Sequence, residues 1–450
     1  MVNNSQSEKE TISMSGYFNE YSRQDWEDLA LETLSGKSID SLNEITDDKI
    51  EIKAIYTSED QNSKDSTGVA DVTPFTRGVK RSGYETGTWD IRALIDEPTI
   101  ESANAAALNE LINGSTSLFL DPEKIGISSI ADLDHTLKDV FLNMTSVWFK
   151  PSFNSSQKSG STEVAKWMIE LWDQRGIGDS ERRGGLGIDP IGLSIQNEIG
   201  SMPDSDLSEV PDLIHKSGLA KVINIDSSFF PERNGSTSAE LAYSLSLAVF
   251  YLRKLEEKDL EIETITKNMY FTYSSSSDQF MTIAKFRAAR RLWAQITKEC
   301  GCSSENQTQS QHAVTSTNAM GDKDPWFNAF NATVAAFAAG IGGAEAITVV
   351  PFPFSDEISG GESERRMARN AQLLLAEESH IGRVIDPAGG SWFVEQLTER
   401  LAQKSWEIFQ QIEFSGGIEE VLNKDGDTFK ELLGTLSLGS SNEGEEEDRD

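Results

Sequence analysis

Histidine and cysteine, the side chains most used for metal ligation and for acid–base or thiol chemistry, are nearly absent: four His and two Cys occur in 450 residues. The four, His135, His215, His312 and His380, are scattered, and only His312 opens an apolar run. Cys300 and Cys302, in "KECGCSSEN", are one residue apart. That is too tight a loop for an easy disulfide, and no second Cys or His group completes a zinc site. They read as free thiols of a reducing compartment. No apolar run approaches the roughly 20 residues of a membrane span, and "MVNNSQSEKETISMSGYFNEYS" lacks the basic-then-apolar order of a signal peptide, so the expected location is cytoplasmic. Basic residues are also scarce. The 40 Lys and Arg face 74 Asp and Glu, a formal charge of -34, which repels phosphate backbones and anionic lipid and argues against nucleic acid or a membrane as partner.

What is present is ample core: 37% of residues are hydrophobic, enough for one large domain or two smaller ones. Composition divides the chain into a charged leader, residues 1–70, a long alternating region, 71–433, and a solvated acidic tail, 434–450, ending "SSNEGEEEDRD". In the leader, "RQDWEDLALETLSG" (Arg23 to Gly36) places Trp26, Leu29, Leu31 and Leu34 at near-helical spacing and stops on Gly36. In the long region eight apolar runs read as strands: "TWDIRALI", "SLFLD", "SVWFK", "GLGID", "KVINIDSS", "MYFTYSS", "HAVTSTN" and "AITVVPF". Helical segments such as "STEVAKWMIELWDQRG" and "SDQFMTIAKFRAARRLWAQITKE" lie between most of them. Repeated strand–helix units force parallel strands, and eight of them predict an α/β fold of the (β/α)8 TIM-barrel class; an open doubly wound sheet is the alternative.

In a barrel, chemistry belongs where strands end. Those positions are Asp96 and Glu97, Asp121, Lys150, Asp189, Asp226 to Phe230, Ser274 to Asp278, Thr317 to Met320 and Pro351 to Phe354. They contain no His cluster and no Ser-His-Asp set. "AAGIGGAEAITVV" follows a helix and precedes a strand, the reverse of a dinucleotide fingerprint, and fits a helix C-cap with a tight turn. "RRGGLGIDPIG" (Arg182 to Gly192) has arginines and glycines, but no helix start is expected directly behind them, which disfavours a phosphate cradle. Two adjacent phenylalanines, Phe229 and Phe230, stand where polar chemistry is usual.

Several blocks, in order from Pro74 to Gly417, carry a family resemblance: "TPFTRG", "GTWDIR", "MTIAKFRAARRLWAQI", "DPWFNAFNATVAAFAAGIGGAEAITVVPF" and "ERRMARNAQLLLAEESHIGRVIDPAGGSWFVEQLTERLAQKSWEIFQQIEFSGG". Together they resemble the barrel domain of adenosylcobalamin-dependent methylmalonyl-CoA mutases. "GLGIDPIG" and "SLFLDPE" are similar to the small, or β, subunit of the heterodimeric members. The resemblance implies a barrel whose axis, in catalytic subunits, holds the pantetheine arm of an acyl-CoA, and a radical exchange of (R)-methylmalonyl-CoA and succinyl-CoA that needs a separate cobalamin domain.

The resemblance also implies what this chain does not do. The Tyr-His pair that holds the thioester in catalytic subunits falls on Phe229 and Phe230, counted back from Gly235. Neither ring donates a hydrogen bond. The tyrosine over the reacting carbons falls on Leu94, and a CoA-contacting arginine on Gly87; Trp89 and Arg92 are retained as candidates for a vestigial channel. A cobalamin domain's Asp-x-His-x-x-Gly is not found, since "DLDHTLKD" has Leu133 and Lys138 around His135. The expectation is therefore a catalytically silent chain that binds no cobalamin or metal, has no cobalamin-binding domain, and pairs with a catalytic (α) subunit carrying adenosylcobalamin, with the leader as a partner-wrapping arm. Two other readings are an active barrel served by a cobalamin domain from another chain, with Ser227, Ser228 or Arg233 as thioester donors, and a free-standing CoA-binding protein.

Overall fold

The computed structural model describes residues 21–61, 68–79, 89–152, 161–196, 206–233, 235–318, 320, 325–352 and 361–424. The acidic tail 434–450 lies outside them, as do Gly87 and the first part of the leader.

The leader helix runs Arg23–Thr33, opened by a capping box between Ser22 and Asp25, and Gly36 follows at φ +95°. It buries no residue: Trp26, Ala30 and Leu34 are half-buried on one side, while Leu29 and Leu31 are exposed. A short antiparallel pair follows, β1 (Glu44–Ile45) with β2 (Glu51–Ile52).

Eight strands then close into a parallel barrel: β3 (Asp90–Ile95), β4 (Ser117–Leu120), β5 (Ser146–Phe149), β6 (Gly184–Ile188), β7 (Lys221–Asp226), β8 (Met269–Ser275), β9 (Gln311–Thr315) and β10 (Ala346–Thr348). Ala346 of β10 pairs with Asp90 of β3 to shut the ring. Each expected strand is found, and closure excludes the open sheet. The last two end earlier than their apolar runs, at Thr315 and Thr348. There the Thr315 hydroxyl accepts from the Val350 N–H at 2.8 Å and turns the chain outward.

Alternation along the strands separates two environments. Ile91, Ile95, Leu118, Leu120, Val147, Phe149, Phe271 and Ile347 are buried, and this outward set forms the main core with the surrounding helices. Phe271 meets Trp293 of the helix Gln279–Glu299 with ring centroids 4.9 Å apart. Burying side chains of this size contributes roughly 1.5–3 kcal/mol each.

Charged ties fix the outer helices. Glu240, Lys285 and Ser274 bond one another in a buried triad, with Lys285 Nζ 2.6 Å from both Glu240 Oε2 and Ser274 Oγ. Arg287, fully buried, lies 3.0 Å from Asp386 and 2.8 Å from Glu395, and Arg77 reaches the same two carboxylates at 3.4 and 3.2 Å. The segment 68–79 is thereby fastened to the helix Trp392–Phe414.

Candidate functional site

The inward-facing positions are mostly polar, which is unusual where Val, Ile and Leu normally fill the layers. Arg92 leaves β3 into the interior, and its guanidinium carbon lies 3.7 Å from the centroid of the Trp148 ring. Its Nη2 is 3.0 Å from Asp90 Oδ2, and its Nε donates to Ser117 Oγ at 3.3 Å. Trp148 in turn meets Tyr270 edge-on at 4.9 Å. Room for this stack comes from Gly185: a methyl group there would overlap the Trp148 ring and touch Tyr270. On the facing wall His312 packs edge-on against Phe119 at 5.0 Å. The Thr348 hydroxyl donates to the Arg92 carbonyl at 3.0 Å, so His312 Nε2, 2.8 Å from Thr348 Oγ1, carries the proton and donates. Burial and the neighbouring Arg92 charge push the imidazole well below its ordinary pKa, and His312 stays neutral. Asn224 and Thr272, bonded at 2.9 Å, are also fully buried inside.

These side chains line the barrel interior. On the side where strands begin, a cavity of about 530 Å³ opens, lined by Asp90, Arg92, Arg183, Lys221, Lys267 and Gln311 among others. On the side where strands end lie the positions that the sequence singled out. Leu94, two residues beyond Arg92 on the same face of β3, is half-buried and pairs in register with Phe119. Phe229 and Phe230 follow β7 and form an aromatic trio with Tyr243 of the helix Thr237–Glu256, at centroid distances of 5.1, 5.7 and 4.9 Å. Their turn is held by Asp226, whose Oδ1 accepts from Ser228 N–H at 2.9 Å and Ser228 Oγ at 2.7 Å. Gly235 is needed here, since a Cβ would strike the Phe230 ring. The pair is thus packed against a helix at the rim.

Beside this turn sits a buried carboxylate that sequence reasoning left without a role. Asp189 accepts from Tyr251 Oη at 2.7 Å and from Gly192 N–H at 2.8 Å. Burial dominates over these hydrogen bonds, Asp226 adds like charge, and the carboxyl is pushed up to about 7. Burial likewise raises Asp226. The helix Pro190–Gln196 begins immediately after Asp189, correcting the expectation that no helix starts behind "GGLGID". Pro190 reads as a break but is suited to a first helical turn. A phosphate is still disfavoured, because Asp189 itself takes the Gly192 amide.

The remaining candidates separate. Trp89 does not enter the barrel: its Nε1 donates to Gln372 at 3.0 Å, and its ring presses on Gly340, both on surrounding helices. Ser227 donates to the Thr272 carbonyl at 3.2 Å and Ser228 to Asp226, so both hydroxyls are engaged. The Arg233 side chain lies outside the described residues. His135, His215 and His380 are exposed. Among the described residues no group of three His, Cys, Asp or Glu is placed to hold a metal, and no helix is long and apolar enough to cross a membrane. Cys300 and Cys302 are free thiols.

The family model described as methylmalonyl-CoA mutase matches residues 45–123 and 120–428. The chain belongs to the methylmalonyl-CoA mutase family. It is 34% identical over 416 residues to the methylmalonyl-CoA mutase small subunit of Streptomyces virginiae, covering 90% of this chain and 66% of that one. With the small subunit from Propionibacterium freudenreichii subsp. shermanii it shares 31% identity over 429 residues, 92% of this chain and 65% of the relative. A methylmalonyl-CoA mutase of Escherichia coli K12 is 25% identical over 431 residues, 89% of this chain and 59% of the relative. The chain thus spans about two thirds of the length of the small subunits it matches. The relatives at 31% and 34% identity are named as small subunits, and the Escherichia coli relative at 25% is not.

Proposed function

We propose that the chain is a non-catalytic small subunit of a methylmalonyl-CoA mutase. Its large partner interconverts (R)-methylmalonyl-CoA and succinyl-CoA by radical rearrangement and supplies the adenosylcobalamin. The observation that carries this reading is the stack of side chains inside the barrel. Arg92, Trp148 and Tyr270 stack where a pantetheine arm would have to pass, and Leu94, Phe229 and Phe230 offer no donor to a thioester. The histidines do not fit the cofactor either: His312 is buried at the start of β9 with Nε2 on Thr348, and the other three are exposed on surrounding helices and loops. The work of such a barrel is to bind and stabilise its partner by mass action.

The leader supports this role. Its helix buries nothing against the barrel, yet carries exposed Leu29 and Leu31 beside half-buried Trp26. Size-exclusion chromatography of the chain co-expressed with the large subunit tests the reading, with and without residues 1–40. A heterodimer that loosens on truncation is expected, chiefly through faster dissociation. Absence of any complex with an intact large subunit would overturn it.

A further inference from the structure

The helix Pro325–Gly342, between β9 and β10, reverses the usual polarity of a surface helix over its first turns. In a chain with 25% charged residues, its 18 residues include none. Asn328 and Asn331 are buried, at 2% and 7% exposure, while Trp326, Phe327 and Phe330 are 71%, 55% and 62% exposed. Positions 326, 327 and 330 fall within about 100° of arc, so the three rings share one side. A helix placed only to cover the barrel would turn its asparagines outward and its aromatics in.

We infer that Trp326, Phe327 and Phe330 form a docking surface for the large subunit, presented at the end of the barrel where the strands finish. This rests on the small-subunit reading above. The rings leave on the order of 400 Å² of aromatic surface in water. A stable interface buries about 800 Å² on each partner, so this patch has the size of an interface core and the aromatic composition that binding hot spots favour. Charge selects the occupant. A second copy would bring another formal charge of -34 against the first, whereas a different chain offering an uncharged apolar face meets no such cost.

The test is the affinity of the purified chain for the cognate large subunit, measured by biolayer interferometry for wild type, W326S/F330S and F141S. Phe141 is also exposed but precedes β5, beside the opposite end of the barrel, and serves as the control. All three exposed side chains are replaceable without loss of fold, which melting temperature and circular dichroism check. The expected result is a dissociation constant raised about 10- to 100-fold by W326S/F330S and unchanged by F141S. Equal affinity for wild type and W326S/F330S would overturn the docking surface while leaving the subunit reading intact. No binding by wild type would remove both. A concentration-dependent self-dimer of the free chain, lost in W326S/F330S, would assign the face to a second copy and likewise overturn the proposal.

Discussion

Arg92 lies over the face of Trp148 with its guanidinium carbon 3.7 Å from the ring centroid, inside the barrel. The contact joins β3 to β5 past the intervening β4, and Tyr270 of β8 packs against Trp148. Polar groups that an apolar core would exclude bond one another here: Asp90 accepts from Arg92 and Ser117, and Thr348 accepts from His312. These bonds couple the strands, because releasing one member strands another.

If the axis is packed in this way, Gly185→Ala must push on Trp148. The expected cost is about 1–3 kcal/mol of overpacking. Trp148→Ala removes the obstacle, so the double variant should show a favourable coupling of about 1 kcal/mol or more in urea denaturation. Strict additivity of the two substitutions would mean that the ring does not occupy the space assigned to it.

Asp189 predicts a pH dependence. Its folded pKa, about 7, lies well above the ordinary aspartate range, so the protonated form is the one folding favours. The stabilisation is present in full below the unfolded value and is lost as pH rises through about 7, at up to roughly 1.4 kcal/mol per pH unit. Asp189→Asn cannot ionise. Its stability relative to wild type should therefore improve from pH 5 to pH 8, as read from unfolding curves at each pH. A pH-independent difference would show that Asp189 is charged throughout.

Arg287 holds Asp386 and Glu395 in a site closed to water. Arg287→Met leaves the two carboxylates with Arg77 as the remaining salt-bridged arginine, and breaking such a buried pair costs about 3–5 kcal/mol. The loss should appear as a lower denaturation midpoint and as faster proteolysis of the segment 68–79, which those carboxylates anchor through Arg77. Unchanged stability would contradict the anchoring.

The fold was legible because the outward faces of the strands are apolar and helices with 3.6-residue periodicity separate them. Gly36 and the spacing of Trp26, Leu29, Leu31 and Leu34 marked the leader helix in the same local way, while the Ser22–Asp25 box was not read. The interior stack was not legible. Arg92, Trp148, Gly185, Tyr270 and His312 lie far apart in the chain, and only barrel closure brings them into one stack. Phe229 and Phe230 stood out as a pair, but their partner Tyr243 is read from sequence as one apolar position among many on its helix. Trp89, retained beside Arg92, went outward because neighbouring positions cannot share a face: alternation carries Arg92 in and Trp89 out. The helix at Pro190 was hidden by a proline that looks like a stop.

The cofactor reading makes a spectroscopic prediction. With His312 committed to Thr348 and His135, His215 and His380 exposed away from the strand ends, the purified chain should be colourless and leave the absorption spectrum of added adenosylcobalamin unchanged. A spectral shift abolished by replacing one histidine would identify a ligand that this account lacks.

The central claim is that this barrel performs no chemistry of its own. Its most direct test is succinyl-CoA formation by the purified chain, free of any partner, supplied with (R)-methylmalonyl-CoA and adenosylcobalamin. No turnover is predicted, because Leu94, Phe229 and Phe230, which the resemblance sets at the thioester-holding positions, carry no side-chain hydrogen-bond donor, and Arg92 stacks on Trp148 inside the barrel. Turnover that persists through further purification would contradict the account.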